Sequence, residues 1–212
     1  ADGPPGDQRN PDNHGRRQSR NNRRGQGAEC DLGAMEAGIV LMPMTFTAPA
    51  KPDLIVRSVT VKPAGDLTAG TKATVEIVIQ NIGTRATAGS FYTDLFINPR
   101  ETPPNHAGYT WIDLCRDTYC RGDEGIVWRA PLTIYPGESF TFTSDLDLDT
   151  YAVRESSQWD KYFAEGEVKL WVFVDSYEVN LSPRGRIEEI NEGNNRYEHP
   201  AFTVAPGRMP DS

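Results

Sequence analysis

The sequence predicts an all-β chain: an antiparallel β-sandwich of about seven to nine strands, with long loop insertions and an extended N-terminal arm. Three observations predict it. Several short segments alternate apolar and polar residues; in Thr74-Val75-Glu76-Ile77-Val78-Ile79-Gln80, Val75, Ile77 and Ile79 share one face. The 19 Gly and 16 Pro among 212 residues are too many for a helix bundle and suit a chain that turns often. The strand-like segments follow one another between turn signals, with no fixed repeat, which indicates one sandwich and not a tandem array.

Residues 1–50 stand apart as an arm. In residues 1–28, six arginines against three aspartates give a net +3 among Asn, Gln, Gly and Pro; of the total −8, the rest of the chain therefore carries −11. So polar a segment cannot bury enough apolar surface to offset the entropy of ordering, so it is expected to lack a fold of its own. A basic arm on an acidic body suits docking onto a neighbouring copy, though a solvated polar leader reads equally well. Residues 29–50 are more apolar. Ala34-Met35-Glu36-Ala37 suits a helical turn, whereas Ile39 to Thr47 reads as a strand ending at Ala48-Pro49-Ala50-Lys51-Pro52. Ile39, Val40, Leu41, Met42, Met44 and Phe46 make it a candidate assembly segment. It suits an extra strand of its own sandwich or one added to the open sheet edge of another subunit.

From Asp53 the β pattern takes over. Leu54-Ile55-Val56 and Val59-Thr60-Val61 form a first strand, with a bulge expected near Ser58. Turns at Pro63–Asp66 and Ala69-Gly70 lead to the alternating strand, which ends at the turn Asn81-Ile82-Gly83-Thr84. Phe91, Thr93, Leu95 and Ile97 share a face of the next strand. Pro99 to Gly108 and Cys115 to Gly125 read as long loops. Ile126-Val127-Trp128 and Leu132-Thr133-Ile134 are short strand candidates, and Ser139 to Thr143 alternates again after the turn Tyr135–Glu138. Asp145, Asp147 and Asp149 alternate with Leu146 and Leu148, suggesting a strand with one acidic face that discourages edge pairing. Residues 149–165 suit a short helix. Val168 to Val174 is apolar on both faces and reads as a central strand, and Ala201 to Val204 closes the sandwich at residues 51–204, leaving a tail at 205–212.

The composition narrows the function. A net charge of −8 disfavours nucleic acid as a partner. No segment approaches the roughly 20 apolar residues of a transmembrane helix. The opening Ala1-Asp2-Gly3-Pro4-Pro5, without a basic and apolar leader, reads as a processed secreted chain more readily than as a trimmed one. Cys115 and Cys120 bracket four residues in a turn-rich segment and are expected to form a small disulfide in an oxidising compartment; Cys30 is left over.

The order of signals resembles a known family. Lys51-Pro52-Asp53-Leu54-Ile55-Val56 opens a strand, Ala69-Gly70-Thr71 precedes the alternating one, and Ile79 to Thr84 ends it. Pro136-Gly137-Glu138-Ser139 precedes another strand, and Val172-Phe173-Val174-Asp175 ends the penultimate one. Ile187-Glu188-Glu189-Ile190-Asn191-Glu192-Gly193-Asn194-Asn195 then leads to the last. Over residues 51–204 this is similar to the CARDB family, the cell-adhesion-related domain found in bacteria, an immunoglobulin-like β-sandwich of secreted and surface proteins. The resemblance implies an extracellular or cell-surface location and an accessory or adhesive role, with no catalytic residues to carry over. Residues 99–132 and 176–186 are longer than the family pattern, and the arm has no counterpart in it.

The densest polar cluster is Asp175 with Glu188, Glu189, Asn191, Glu192 and Asn194. Oxygen ligands in a loop suit calcium, but the ligand spacing of an EF-hand is missing and the same residues can satisfy backbone groups between strands, which is the favoured reading. Arg121-Gly122-Asp123 reads as a turn beside the disulfide more readily than as an integrin ligand, and Asn180-Leu181-Ser182 fits the glycosylation acceptor pattern. His14, His106 and His199 form no catalytic motif. Tyr109, Trp111, Trp128, Trp159 and Tyr162 could stack on sugars, although aromatics under long loops usually form satellite core.

The expected function is thus a non-enzymatic structural or adhesive subunit of an extracellular fibre or layer, joined to other copies through its arm. The alternative is an accessory module that binds carbohydrate or another cell-surface ligand. A hydrolase has little support.

Overall fold

In the computed structural model, the described residues are 49–116, 118–120, 123–130, 133–177 and 184–210. The assembly segment 39–47, most of the arm and the Arg121-Gly122 and Asn180–Ser182 motif residues lie outside them. Among the described residues ten strands form: β1 Leu54–Lys62, β2 Leu67–Thr68, β3 Thr74–Asn81, β4 Phe91–Ile97, β5 Glu124–Ala130, β6 Ser139–Thr143, β7 Gly166–Val168, β8 Leu170–Val174, β9 Arg196–Glu198 and β10 Phe202–Ala205. They pair as β1-β3-β6, as β5-β4-β8-β9 and as a small sheet β2-β10-β7. All pairings are antiparallel except β2 with β10. The all-β sandwich expected from the alternation is the fold observed.

The inward residues merge into one core. Val75, Ile77 and Ile79 of β3 are fully buried, as are Phe91, Leu95, Leu170, Val172 and Val174, and all belong to one apolar cluster with Trp128 and Phe142. Trp128 stacks on Phe142 with ring centroids 5.4 Å apart. The bulge in β1 falls between Val56 and Ser58, so Arg57 is the extra residue, and the register on β3 shifts there.

Several expected elements change. The run Val168–Val174 is two strands. At Lys169 the chain leaves β10's sheet for β4's, held by the Asn98 N–H to the Lys169 carbonyl at 2.8 Å and the Lys169 N–H to Asn98 Oδ1 at 2.8 Å. The Asp145–Asp149 segment is a turn, not an acidic strand. Its carboxylates bond the chain itself: Asp149 accepts the N–H groups of Thr143 and Tyr151, and Asp145 accepts Lys161 Nζ at 2.7 Å. Thr133 and Ile134 lie outside any strand. The expected short helix is one 3-10 turn at Arg154–Ser156.

The long insertion after β4 covers the outer face of β4, β5 and β8. Trp111, Leu114 and Cys120 from the insertion form a second apolar cluster with Phe96, Val127, Trp171 and Phe173. This explains why β8 is buried along its whole length. Asp94 pins the cover: its carboxylate accepts the Trp111 N–H at 3.0 Å and the Ser176 hydroxyl. Burial pushes its carboxyl up to about 7, opposed by the Ser176 and Trp111 hydrogen bonds. The Cys115–Cys120 disulfide closes the rim of the same cover.

Candidate functional site

The polar residues after β8 gather where the arm enters the sandwich. Residues 51–53 continue the line of β1 beside the turn after β3: the Ile82 N–H bonds the Asp53 carbonyl at 2.7 Å, and the Thr84 N–H bonds that of Lys51 at 2.9 Å. Gly83 permits this approach, since a Cβ there would lie 2.5 Å from the Lys51 carbonyl oxygen and the Asp53 nitrogen.

The segment 188–195 grips the other side of that line. Lys51 Nζ pairs with Glu188 at 2.6 Å, the Ile190 N–H bonds the Pro52 carbonyl at 2.9 Å, and Asn194 Nδ2 donates to Asp53 Oδ1 at 2.9 Å. The Leu54 N–H donates to Glu189 Oε2, and Asn195 Nδ2 to Glu189 Oε1 at 2.9 Å. Asp175 holds the loop that delivers this segment, accepting the N–H groups of Arg186 at 3.0 Å and Ile187 at 2.7 Å. Gly185, at φ +68°, leaves room for that carboxylate, which a Cβ would meet at 2.2 Å.

Burial dominates the electrostatics. Asp175 is pushed up to about 7, with the Ile187 and Arg186 N–H groups opposing. Glu189 is pushed up to about 9, opposed by the Leu54 N–H and reinforced by the nearby Asp175. Exposed Glu188 moves the other way because Lys51 holds its charged form.

The expected calcium ligands divide accordingly. Asp175 and Glu189 are buried, and their oxygens accept N–H donors. Glu192 accepts the Glu189 N–H and Asn191 the Gly193 N–H, both within the loop. Asn194 Oδ1 and Asn195 Oδ1 are buried with no hydrogen-bond partner. Among the described residues no three His, Cys, Asp or Glu side chains converge as a metal centre would require.

Asn81, which the sequence marks only as a turn residue, is the hub of the junction. Fully buried, it accepts the N–H groups of Asp53 and Gly83 and donates to the carbonyls of Arg85 and Ile134. Its position at the end of the alternating strand was the available signal.

The aromatic candidates resolve differently. Trp111, Trp128 and Trp159 are buried, so they cannot stack on a sugar. Tyr109 is 40% exposed, and Tyr119, which the sequence did not single out, is 76% exposed. Asp123 is buried and pairs with Arg116 at 2.6 Å.

No family model matches the chain, and no curated protein matches it. Solved structures similar to it include the CARDB domain of a Pyrococcus furiosus protein in complex with di-metal ions. It is 19% identical, with a TM-score of 0.41, over 76% of this chain and 97% of that one. A domain described as part of a cell-surface protein from Methanosarcina acetivorans is 16% identical, with a TM-score of 0.40, over 73% of this chain and 92% of that one. The β-D-glucoside glucohydrolase of Trichoderma reesei is 15% identical, with a TM-score of 0.31, over 76% of this chain and 20% of that one. By its own strand order the chain is an all-β sandwich, and the solved structures it is similar to include CARDB domains.

Proposed function

We propose that the chain is a non-catalytic extracellular module of the cell surface, working without a cofactor as a subunit that joins other copies of itself through its N-terminal arm. The observation that supports this reading is where the polar stretch is spent. Lys51, Pro52, Asp53 and Leu54, the first residues of the sandwich, are each held by the segment 188–194, so the chain is fastened at the point where the arm joins it. The charge division, +3 on residues 1–28 against −11 on the rest, gives an arm an attraction for a neighbouring body. The test is electron microscopy of the full chain beside a chain lacking residues 1–48. Filaments or layers that vanish on deletion support the reading; dispersed particles in both samples overturn it.

A second reading has its own observation. Tyr109, Ile112 and Tyr119 of the insertion are 40%, 41% and 76% exposed, which suits a surface ligand such as a glycan. A binder of this kind keeps its ligand when the arm is deleted.

A further inference from the structure

We propose that the outer edge of β1 is the acceptor for residues 39–47 of a neighbouring copy, which add there as an extra strand. The inference rests on the assembly reading and specifies its contact. Odd-numbered residues of β3 bond β6, as the Ser144 N–H to Val75 carbonyl and Asn81 N–H to Glu138 carbonyl bonds show. The even-numbered ones therefore bond β1, at Ser58, Thr60 and Lys62. Val59 and Val61 thus turn their N–H and C=O groups away from β3, and among the described residues no partner bonds them. That edge borders a groove of about 460 Å³, lined by Val59, Val61, Pro63, Leu67, His199 and Phe202. It is a groove of mainly apolar lining, with Thr60, Asp66 and Thr203 also along it, beside backbone that no described residue pairs, the setting in which strands are added.

The opposite edge of the sheet is blunted. The outward N–H of Thr143 on β6 is taken by Asp149 at 3.0 Å, and Tyr151 packs on Phe140 with ring centroids 5.5 Å apart.

The arm sequence matches the β1 edge by parity. Val40, Met42, Met44 and Phe46 recur every second residue, while Pro43, Thr45 and Thr47 fall between them. Pro43 has no N–H, so a strand there must bond its acceptor through the even-numbered residues. Those are the apolar ones. In an antiparallel ladder the bonded residues stand opposite one another and share a face, and Val59 and Val61 face the core, so in antiparallel pairing Val40, Met42, Met44 and Phe46 would enter the groove with them.

The geometry also selects a neighbour over the chain's own arm. The outer edge of the β1 line is occupied at Pro52 by the Ile190 N–H and at Leu54 by Glu189. A strand running straight back along β1 from residue 50 of the same chain would meet that segment before reaching Val59.

The experiment uses full-length chains with Cys30→Ser, one carrying Thr60→Cys, the other Thr45→Cys or Thr47→Cys. Thr60 is on the solvent face beside the acceptor edge, and Thr45 and Thr47 would share that face. Mixing the two chains under mild oxidation is expected to give a disulfide-linked dimer with at least one of the two donors. A cross-link forming only within a single chain carrying both substitutions overturns the proposal in favour of self-pairing. Assemblies that form without any cross-link overturn the β1 edge as acceptor while leaving assembly standing; absence of assemblies altogether is the failure of the assembly reading itself.

Discussion

Asn81 Oδ1 accepts the backbone N–H of Asp53 at 3.1 Å, joining the end of β3 to the root of the arm. The same side chain serves Gly83, Arg85 and Ile134. Asn81→Ala would leave two buried donors and two carbonyls without that partner. Each unmet buried group costs roughly 1–3 kcal/mol, so a loss of at least about 2 kcal/mol is expected in urea unfolding. A loss below about 0.5 kcal/mol would show that water substitutes for the amide.

Gly83→Ala probes the same junction from its steric side. The added methyl would meet the backbone of residues 51–53 at 2.5 Å and push the arm root off β3. Overpacking of this kind costs roughly 1–3 kcal/mol. Hydrogen exchange at Ile82 and Thr84, whose N–H groups bond Asp53 and Lys51, is expected to quicken more than exchange in β8. Equal acceleration in both would mean global loosening instead.

The buried carboxyls set a pH dependence. Asp94 and Asp175 are pushed up to about 7, Glu124 to about 8 and Glu189 to about 9, in each case chiefly by burial. Their unfolded values lie near 4, so between those limits the folded chain binds more protons than the unfolded one. Their contribution is fully present below about pH 4 and is lost as pH rises through the folded values. The opposite shifts of Asp145, Asp147 and Glu188 act below the ordinary carboxylate range, outside this window. The Tm is expected to be higher at pH 5.5 than at pH 8.5, with a shallower slope in Glu189→Gln. A Tm that climbs steadily from 5.5 to 8.5 would contradict the assignment.

Removing the Cys115–Cys120 bridge tests the insertion. A loop this small stabilises by about 2 kcal/mol through closure entropy. Cys115→Ser with Cys120→Ser should cost about that much and change the environment of Trp111, which shares a cluster with Cys120, while leaving the β1–β3 ladder protected in exchange. Collapse of the whole sandwich would show that the bridge does more than pin its loop.

The sequence was most legible where one face meets a core and the other meets water. β3 shows this: its buried Val75, Ile77 and Ile79 alternate with half-buried Thr74, Glu76 and Gln80. It was least legible where both faces are covered. Phe96, Trp171 and Phe173 are buried by an insertion whose own sequence reads as loop, because alternation cannot report a second layer made of irregular chain. The break at Lys169 was hidden for a related reason: a continuous apolar run carries no mark of the residue at which it changes sheets. The Asp145–Asp149 segment mimicked a strand because an Asx turn also alternates, its carboxylates bonding backbone N–H groups two residues on, as Asp145 and Asp149 do. In the polar cluster the residue types were visible, but their partners are not: Glu189 and Leu54 are 135 positions apart.

The line of Lys51 to Lys62 along the end and edge of β3 has a mechanical consequence. A pull applied at Ala50 runs along β1, while the ladder bonds to β3 lie across it. With β3 held at its Thr74 end, the force loads these bonds in shear, all at once, where a hold at the Asn81 end would open them one after another. A joint of this geometry resists tension better than its equilibrium stability alone would indicate, and the first groups to feel the strain are the side chains gathered around Asp53.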